Sequence, residues 1–473
     1  VVLPSRSPAA GSRLRVEPGK TQAHPGPADL RDIQGLIYHS WADHPFAAYQ
    51  FAKLGEAAHS RAWLEQLREQ VTTSVGYKAK QGRLQIALSP RGLAALGVPS
   101  SVVAQLPHEA RAGMRARAHV LGDDATSEWT LGSRDELDVL VMMFARDEDS
   151  RSAMVAQQRA ALQAAGAVLA PIELSAPLPE RREHFGFVDG ISQPFIHGLH
   201  AAPRAGHDVI SAGELLLGYP NEYQRLPHSP HWDSVDLGRN GSYLVFRKLE
   251  QHVERFWGYL TERGRAMSER PDDAADVRKH AEYLGAKMMG RWPSGAPMAT
   301  APHHDDPAAR HPDRINTFGY RDEDREGLRC PISSHVRRAN PRDSHGGSAE
   351  QSREVISRHR ILRRGRPWGP PLAEELARAG QGDQRERGLY FISLQTSIAR
   401  GFEFIQQSWL NNKGFGRLNA EGDPLTGGGC PFTIPAEPVR LRLPAVPQVV
   451  TSRGGGYFFL PSLSALTRIC RGR

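Results

Sequence analysis

The chain has 473 residues, 39% of them hydrophobic, which is too many for one small core, so two domains are the natural expectation. Lys and Arg outnumber Asp and Glu by 60 to 52, and the net charge of +8 is spread without a separate basic block, which argues against a nucleic-acid arm. The three cysteines cannot build a disulfide framework, and no apolar run is long enough to predict a transmembrane helix.

In chain order, residues 1–30 are rich in Pro, Gly, Ser and Ala and predict an extended or flexible arm without the apolar core of a secretory leader. DIQGLIYHS (32–40) predicts a first strand. HPFAAYQFAKLGEAAHSRAWLEQLREQV (44–71) predicts a helix, because Phe51, Leu54, Ala58 and Leu64 return at helical spacing. GRLQIALS (82–89) predicts a strand, and SPRGLAALG (89–97) a helix with Ser89 as cap and Pro90 in the first turn. ELDVLVMMFA (136–145) has the apolar density of a central strand, SRSAMVAQQRAALQAAG (150–166) that of the following helix, and AGAVLAPIEL (165–174) that of another strand. The resulting β-α-β-β-α-β order is ferredoxin-like.

The stretch 206–314 is more irregular, although SYLVFRKL (242–249) predicts a strand and HVERFWGYLTERGR (252–265) an amphipathic helix. HHDDPAARHPDR (303–314) lacks the i, i+4 geometry of a helical metal site and reads as a solvated loop. HRILRRGR (359–366) mixes arginines with Ile and Leu, as a partly buried strand does. In GLYFISLQ (388–395), Leu389 and Phe391 share one face of a strand. FEFIQQSWL (402–410) predicts a helix, and YFFLPSLSAL (457–466) a closing strand and turn.

The chemistry is expected around RCPISSHVRRANPRD (329–343). Pro331 fits the first helical position and Pro341 disfavours helix at Asn340, so His335 rides on a helix of about two to three turns. Arg342, seven residues on, falls on the same helical face or just past its end. GFVDGISQP (186–194), CPISSHVRRANPRD (330–343), ILRRGRPWG (361–369) and GLYFISLQTSIARGFEFIQQSWLNN (388–412) together resemble, and in the same order, the dye-decolourising peroxidase family. Its hallmarks are a G-x-x-D-G turn and a histidine-ligated haem b, and the likeness runs from about Asp32 almost to the C-terminus.

The resemblance implies an α+β fold of two ferredoxin-like domains, 31–185 and 186–473, each an antiparallel sheet with peripheral helices, the second holding haem. One non-covalent haem b per chain is implied, and no C-x-x-C-H is present for covalent attachment. The family pattern makes His335 the axial ligand of the iron. Cys330, in a Cys-Pro dipeptide, is the rival thiolate. Arg342 is placed to reach a propionate, and Leu389 and Phe391 to wall the peroxide side. Asp423, in GDPLTG, is a candidate carboxylate for the imidazole, or simply part of a turn.

On the open face, Asp189 is the implied proton relay and Arg363 the fixed positive charge, with Arg364 on the far side of its strand and exposed. Trp368 is a candidate surface radical site for bulky substrates or, equally, a packing residue. The function implied is reduction of hydrogen peroxide to water through a ferryl intermediate, with oxidation of organic substrates such as dyes and phenolics. The alternative is a haem carrier, sensor or iron-release (deferrochelatase-like) protein, which would have no use for both Asp189 and Arg363. Hydrogen peroxide and small organic reductants are the expected partners, with neither nucleic acid nor membrane, and the chain is expected to be soluble, cytoplasmic or exported.

Overall fold

The computed structural model describes residues 24–76, 82–123, 125–132, 137–199 and 206–472, so most of the expected N-terminal arm lies outside the described residues. The N-terminal half comprises β1 (Phe46–Lys53), α1 (Ala57–Arg68), β2 (Arg83–Leu88), β3 (Val139–Ala145), α2 (Glu148–Ala164), β4 (Val168–Leu169) and β5 (Glu173–Ser175). Its strands lie in the order β2-β3-β1-β4, with β5 also on β1. This is the expected β-α-β-β-α-β unit, but its first strand is FAAYQFAK.

The helical reading of that segment fails for a physical reason. Ala47, Ala48, Tyr49, Phe51 and Ala52 are fully buried, so β1 is apolar on both faces and shows no alternation. Helix forms only from Ala57, and DIQGLIYHS is a chain of turns with one bridge, Gln34 to Thr73. Ser89 caps the Pro90–Ala95 helix as expected, its side chain accepting the Gly92 N–H.

The C-terminal half repeats the pattern with β6 (Ser242–Gln251), α3 (Val253–Met267), α4 (Ala274–Met289), α5 (His335–Ala339), β7 (Leu362–Arg363), β8 (Arg366–Trp368), β9 (Gly388–Gln395) and β10 (Val450–Leu460). The strand order is β7-β9-β6-β10, and Phe459 of β10 pairs with Leu88 of β2, which joins both halves into one antiparallel ten-stranded sheet. A helix with π-type turns, residues 399–410, connects β9 toward β10. The chain closes not on a turn but on α6 (Leu463–Arg471), capped by Ser462 and ended by left-handed Gly472. Leu466 and Ile469 of α6 pack with Trp63 and Leu64 of α1, so the last helix covers the sheet of the first half. Among the described residues no helix is long and apolar enough to cross a membrane, and no cluster of three or more His, Cys, Asp or Glu is arranged to hold a metal ion.

Candidate active site

The helix carrying His335 is shorter than its sequence predicts. Ser334 is its N-cap and His335 its first residue, while Pro331 sits in the preceding turn, its carbonyl accepting the Ser334 N–H at 3.0 Å. Pro341 ends it as expected, with Asn340 extended at φ −147°. Five residues cannot sustain a helix in isolation. Two buried arginines hold this one: Arg337 donates to the Asp324 carboxylate (3.2 Å) and the Cys330 carbonyl (2.6 Å). Arg338 donates to the carbonyls of Trp409 (2.6 Å), Asn412 (3.0 Å) and Glu421.

So held, His335 brings Nδ1 to 2.9 Å from Oδ2 of Asp423. Asp423 is fully buried, and its Oδ1 accepts the N–H groups of Leu425 (2.9 Å) and Thr426 (3.0 Å), so the GDPLTG turn also provides the imidazole's partner. Burial raises the Asp423 carboxyl, but the His335 ring and these hydrogen bonds outweigh it and hold the group below its ordinary value. Burial lowers His335, and Asp423 outweighs it in the other direction. Among the described residues nothing bonds Nε2, and a quarter of the side-chain surface remains open to a cavity of about 260 Å³ that the ring lines. An imidazole whose Nδ1–H is held by a carboxylate presents Nε2 as a lone-pair donor.

Asp189 and Arg363 line the same cavity, an Nη2 of the guanidinium standing 3.8 Å from Oδ1 of the carboxylate. Asp189 is presented by a tight turn in which Gly190 (φ 77°) takes a left-handed conformation and donates its N–H to Oδ1 at 2.6 Å. Arg363 is placed by β7, where it pairs with Ser393 of β9, and its N–H donates to the Gln193 side chain at 3.0 Å. Leu389 and Phe391 of β9, two residues apart, both reach the cavity. Arg247, Leu249 and Gln251, alternate residues of β6, form another wall.

Arg342 lies beyond the helix rather than on its face, with φ 54°. Its guanidinium lies 3.9 Å from the centre of the Phe318 ring and donates to the Asn316 carbonyl at 2.9 Å, and the residue lines the cavity.

Two expectations, for Arg364 and Trp368, need correction, and the rival ligand Cys330 finds no support. Arg364 does face away from Arg363 but is not exposed: it is buried under the segment 36–37, donating to the carbonyls of Leu36 (2.8 Å) and Ile37 (3.0 Å). Burial pushes it down to about 9. Trp368 is no surface aromatic: 6% exposed, it stacks on Tyr390, lies under Lys248 and donates its indole N–H to Leu249. Cys330 does not line the cavity, its thiol is raised by burial, and its sulfur sits 3.2 Å from the Ser334 hydroxyl. A thiolate ligand from this position has no support.

Sequence reasoning missed Arg360 and Glu183, which also line the cavity. Arg360 pairs with Asp208 at 3.3 Å. Its signal was diluted among four arginines in eight residues. Glu183 sits six residues before Asp189 in the same glycine-rich turn, the one hint available.

This donor set fits a haem: an imidazole backed by a buried carboxylate on one wall, an acid and a guanidinium elsewhere on the lining, apolar side chains between, and Arg342 and Arg360 as cations for a porphyrin's carboxylates. The family model described as Dyp-type peroxidase, C-terminal, matches residues 230–436. A dye-decolorizing peroxidase of Exidia glandulosa is 34% identical over 406 residues, covering 81% of this chain and 75% of that one. The crystal structure of a fungal DyP-type peroxidase from Auricularia auricula-judae superposes with a TM-score of 0.80 at 27% identity, over 93% of this chain and 99% of that one. A dye-decolorizing peroxidase in complex with 2,6-dimethoxyphenol superposes with a TM-score of 0.78 at 28% identity, with the same coverage. With its sequence matched over four-fifths of its length and its fold over nearly all of it, the chain belongs to the dye-decolorizing peroxidase family, whose cofactor is haem, and is a peroxide-dependent oxidoreductase.

Proposed function

We propose that the chain holds one non-covalent haem b against His335, reduces hydrogen peroxide to water on the face toward Asp189 and Arg363, and oxidises dyes and phenols. The observation that carries this reading is that His335, backed by the buried Asp423, lines one cavity together with the Asp189–Arg363 pair. The bound group supplies the redox centre at which the O–O bond breaks. Everything else is asked of the protein. Asp423 keeps the proton on Nδ1 of His335, which directs the Nε2 lone pair into the cavity. Asp189 takes a proton from the nearer peroxide oxygen and returns it to the farther one, which leaves as water. Arg363, which cannot deprotonate, places a fixed positive charge where negative charge develops on the departing oxygen. Leu389 and Phe391 present apolar surface beside these groups and limit the water that competes for them. Arg342 and Arg360, both on the cavity lining, would hold the carboxylates of a bound porphyrin. The 2,6-dimethoxyphenol complex of a structural neighbour motivates phenols as reductants.

The test is reconstitution with haemin followed by acid–acetone extraction and stopped-flow mixing with peroxide. One extractable haem per chain is expected. Asp189→Asn should bind it equally and react with peroxide roughly 10²–10⁴-fold more slowly, the span of general acid–base catalysis. A variant that reacts as fast as the parent overturns the reading.

A further inference from the structure

We propose that Glu183 carries a proton in the working protein, and that this neutral carboxyl is the positioning residue that fixes the turn presenting Asp189. Glu183 stands in the wall between the 260 Å³ cavity and a neighbouring one of about 420 Å³, a wall it shares with Asp189, Ile191, Arg363 and Leu389. Its side chain accepts the N–H groups of Phe185 (2.9 Å) and Phe187 (3.0 Å), one on each oxygen. Its own N–H donates to the Phe187 carbonyl at 2.9 Å, and its carbonyl accepts the Gly186 N–H at 2.8 Å. The segment 183–187, which ends two residues before Asp189, is thus closed on itself by Glu183.

The remaining contact comes from β6. The Gln251 amide approaches Oε2 at 2.5 Å, while its other polar atom, Oε1 as placed, is buried without a hydrogen-bond partner among the described residues. Amide N–H···O contacts of 2.5 Å also occur elsewhere in the structure, as from Gln85 to the Leu84 carbonyl, so this separation accommodates either donor. Amide oxygen and nitrogen are distinguished only by their hydrogen bonds. With the amide turned over, the Glu183 O–H donates to the Gln251 oxygen at that distance. Either orientation leaves one amide atom without a protein partner, so charge decides.

An ionised Glu183 would hold its charge beside Asp189 with no cation in contact among the described residues. Arg182 on its own turn is paired with Glu180. Arg363 from β7 is paired with Asp189, and Arg247 from β6 with Asp123. His184 is occupied by the Trp368 carbonyl, and burial holds it neutral at about 4. Desolvation, with the Asp189 charge acting in the same direction and three hydrogen bonds opposing, raises the Glu183 carboxyl to about 7.

Ionisation would break the O–H···O bond to β6 and set a second negative charge beside the proton relay. The inference rests on Asp189 acting at peroxide as proposed above, so the test has arms that do not. In haem-loaded protein the rate with peroxide should fall about tenfold between pH 6 and 8, as expected for one ionisation at about 7, and this step should be missing from Glu183→Gln. In haem-free protein the infrared band of a protonated carboxyl should be present at pH 6, absent at pH 8 and absent from the variant.

A carboxyl whose value is raised on folding contributes stability that is complete below its ordinary value and lost as pH rises through the raised one. The parent's melting temperature should therefore fall relative to Glu183→Gln from pH 5 to pH 8. Gln251→Met decides the direction of the hydrogen bond without altering Glu183. If Gln251 accepts the proton, the midpoint moves to lower pH, and if it donates to a carboxylate, the midpoint moves to higher pH. No infrared band at pH 6, or an upward shift in Gln251→Met, overturns the proposal. A correct band with a flat rate profile overturns the positioning role, while the role of Asp189 itself stands or falls with Asp189→Asn.

Discussion

Asp423→Asn is the substitution that most sharply separates a partner for the imidazole from a turn residue. Oδ1 of Asp423 accepts the N–H groups of Leu425 and Thr426, and an asparagine oxygen can keep both bonds, so the turn survives. Its NH₂ must then face Nδ1 of His335, 2.9 Å away in the parent. That donor makes Nδ1 an acceptor and drives the ring proton to Nε2, the atom required to bind iron. Loss of a ligand's supporting partner typically costs roughly 10- to 100-fold in affinity, and the wrong tautomer places this variant at the upper end, about 2.8 kcal/mol. Haemin titration of the haem-free protein, followed by absorption, measures it, with near-ultraviolet circular dichroism confirming the fold. A folded variant with undiminished haemin affinity would refute the reasoning.

Arg363→Leu should still bind haem but react with peroxide roughly 10²–10³-fold more slowly, the usual effect of removing one group that stabilises developing charge; stopped-flow absorption reads it. Arg338→Met leaves the carbonyls of Trp409, Asn412 and Glu421 without their donor in a fully buried site. Destabilisation of about 3 kcal/mol or more is expected in urea unfolding, with weakened haem binding because His335 loses its support. Trp368→Phe should leave turnover of a bulky dye unchanged, since the indole is buried, while loss of its bond to Leu249 lowers stability by about 1 kcal/mol. A large loss of dye turnover with normal peroxide reactivity would restore a relay role for Trp368.

Local rules read some parts of this chain well. Ser89-Pro90 announces its helix because cap and first-turn chemistry act within four residues, and β3 and β9 are legible as dense apolar runs. The same density misleads in β1, where a strand buried on both faces lacks the alternation that marks a half-exposed one. The α5 boundary depends on Arg337 and Arg338 reaching carbonyls up to 83 residues away, which no window of local sequence contains. Family resemblance singled out Asp189, Arg363 and His335, but not their separations.

Exposure was the least legible property. Arg364 and Trp368 carry side chains that ordinarily tolerate the surface, yet both are covered, the arginine by residues 36–37 from the opposite end of the chain. Glu183 escaped notice because its side-chain contact with Gln251 spans 68 residues, to β6.

The central claim is that His335 binds the haem iron with Asp189 and Arg363 on the other side of the porphyrin. A crystal structure of the haem-loaded protein tests it directly. The account predicts iron bonded to Nε2 of His335, Asp423 still on Nδ1, and the Asp189–Arg363 pair facing the open coordination position. Iron bonded to another side chain, or a porphyrin seated outside this cavity, would contradict it.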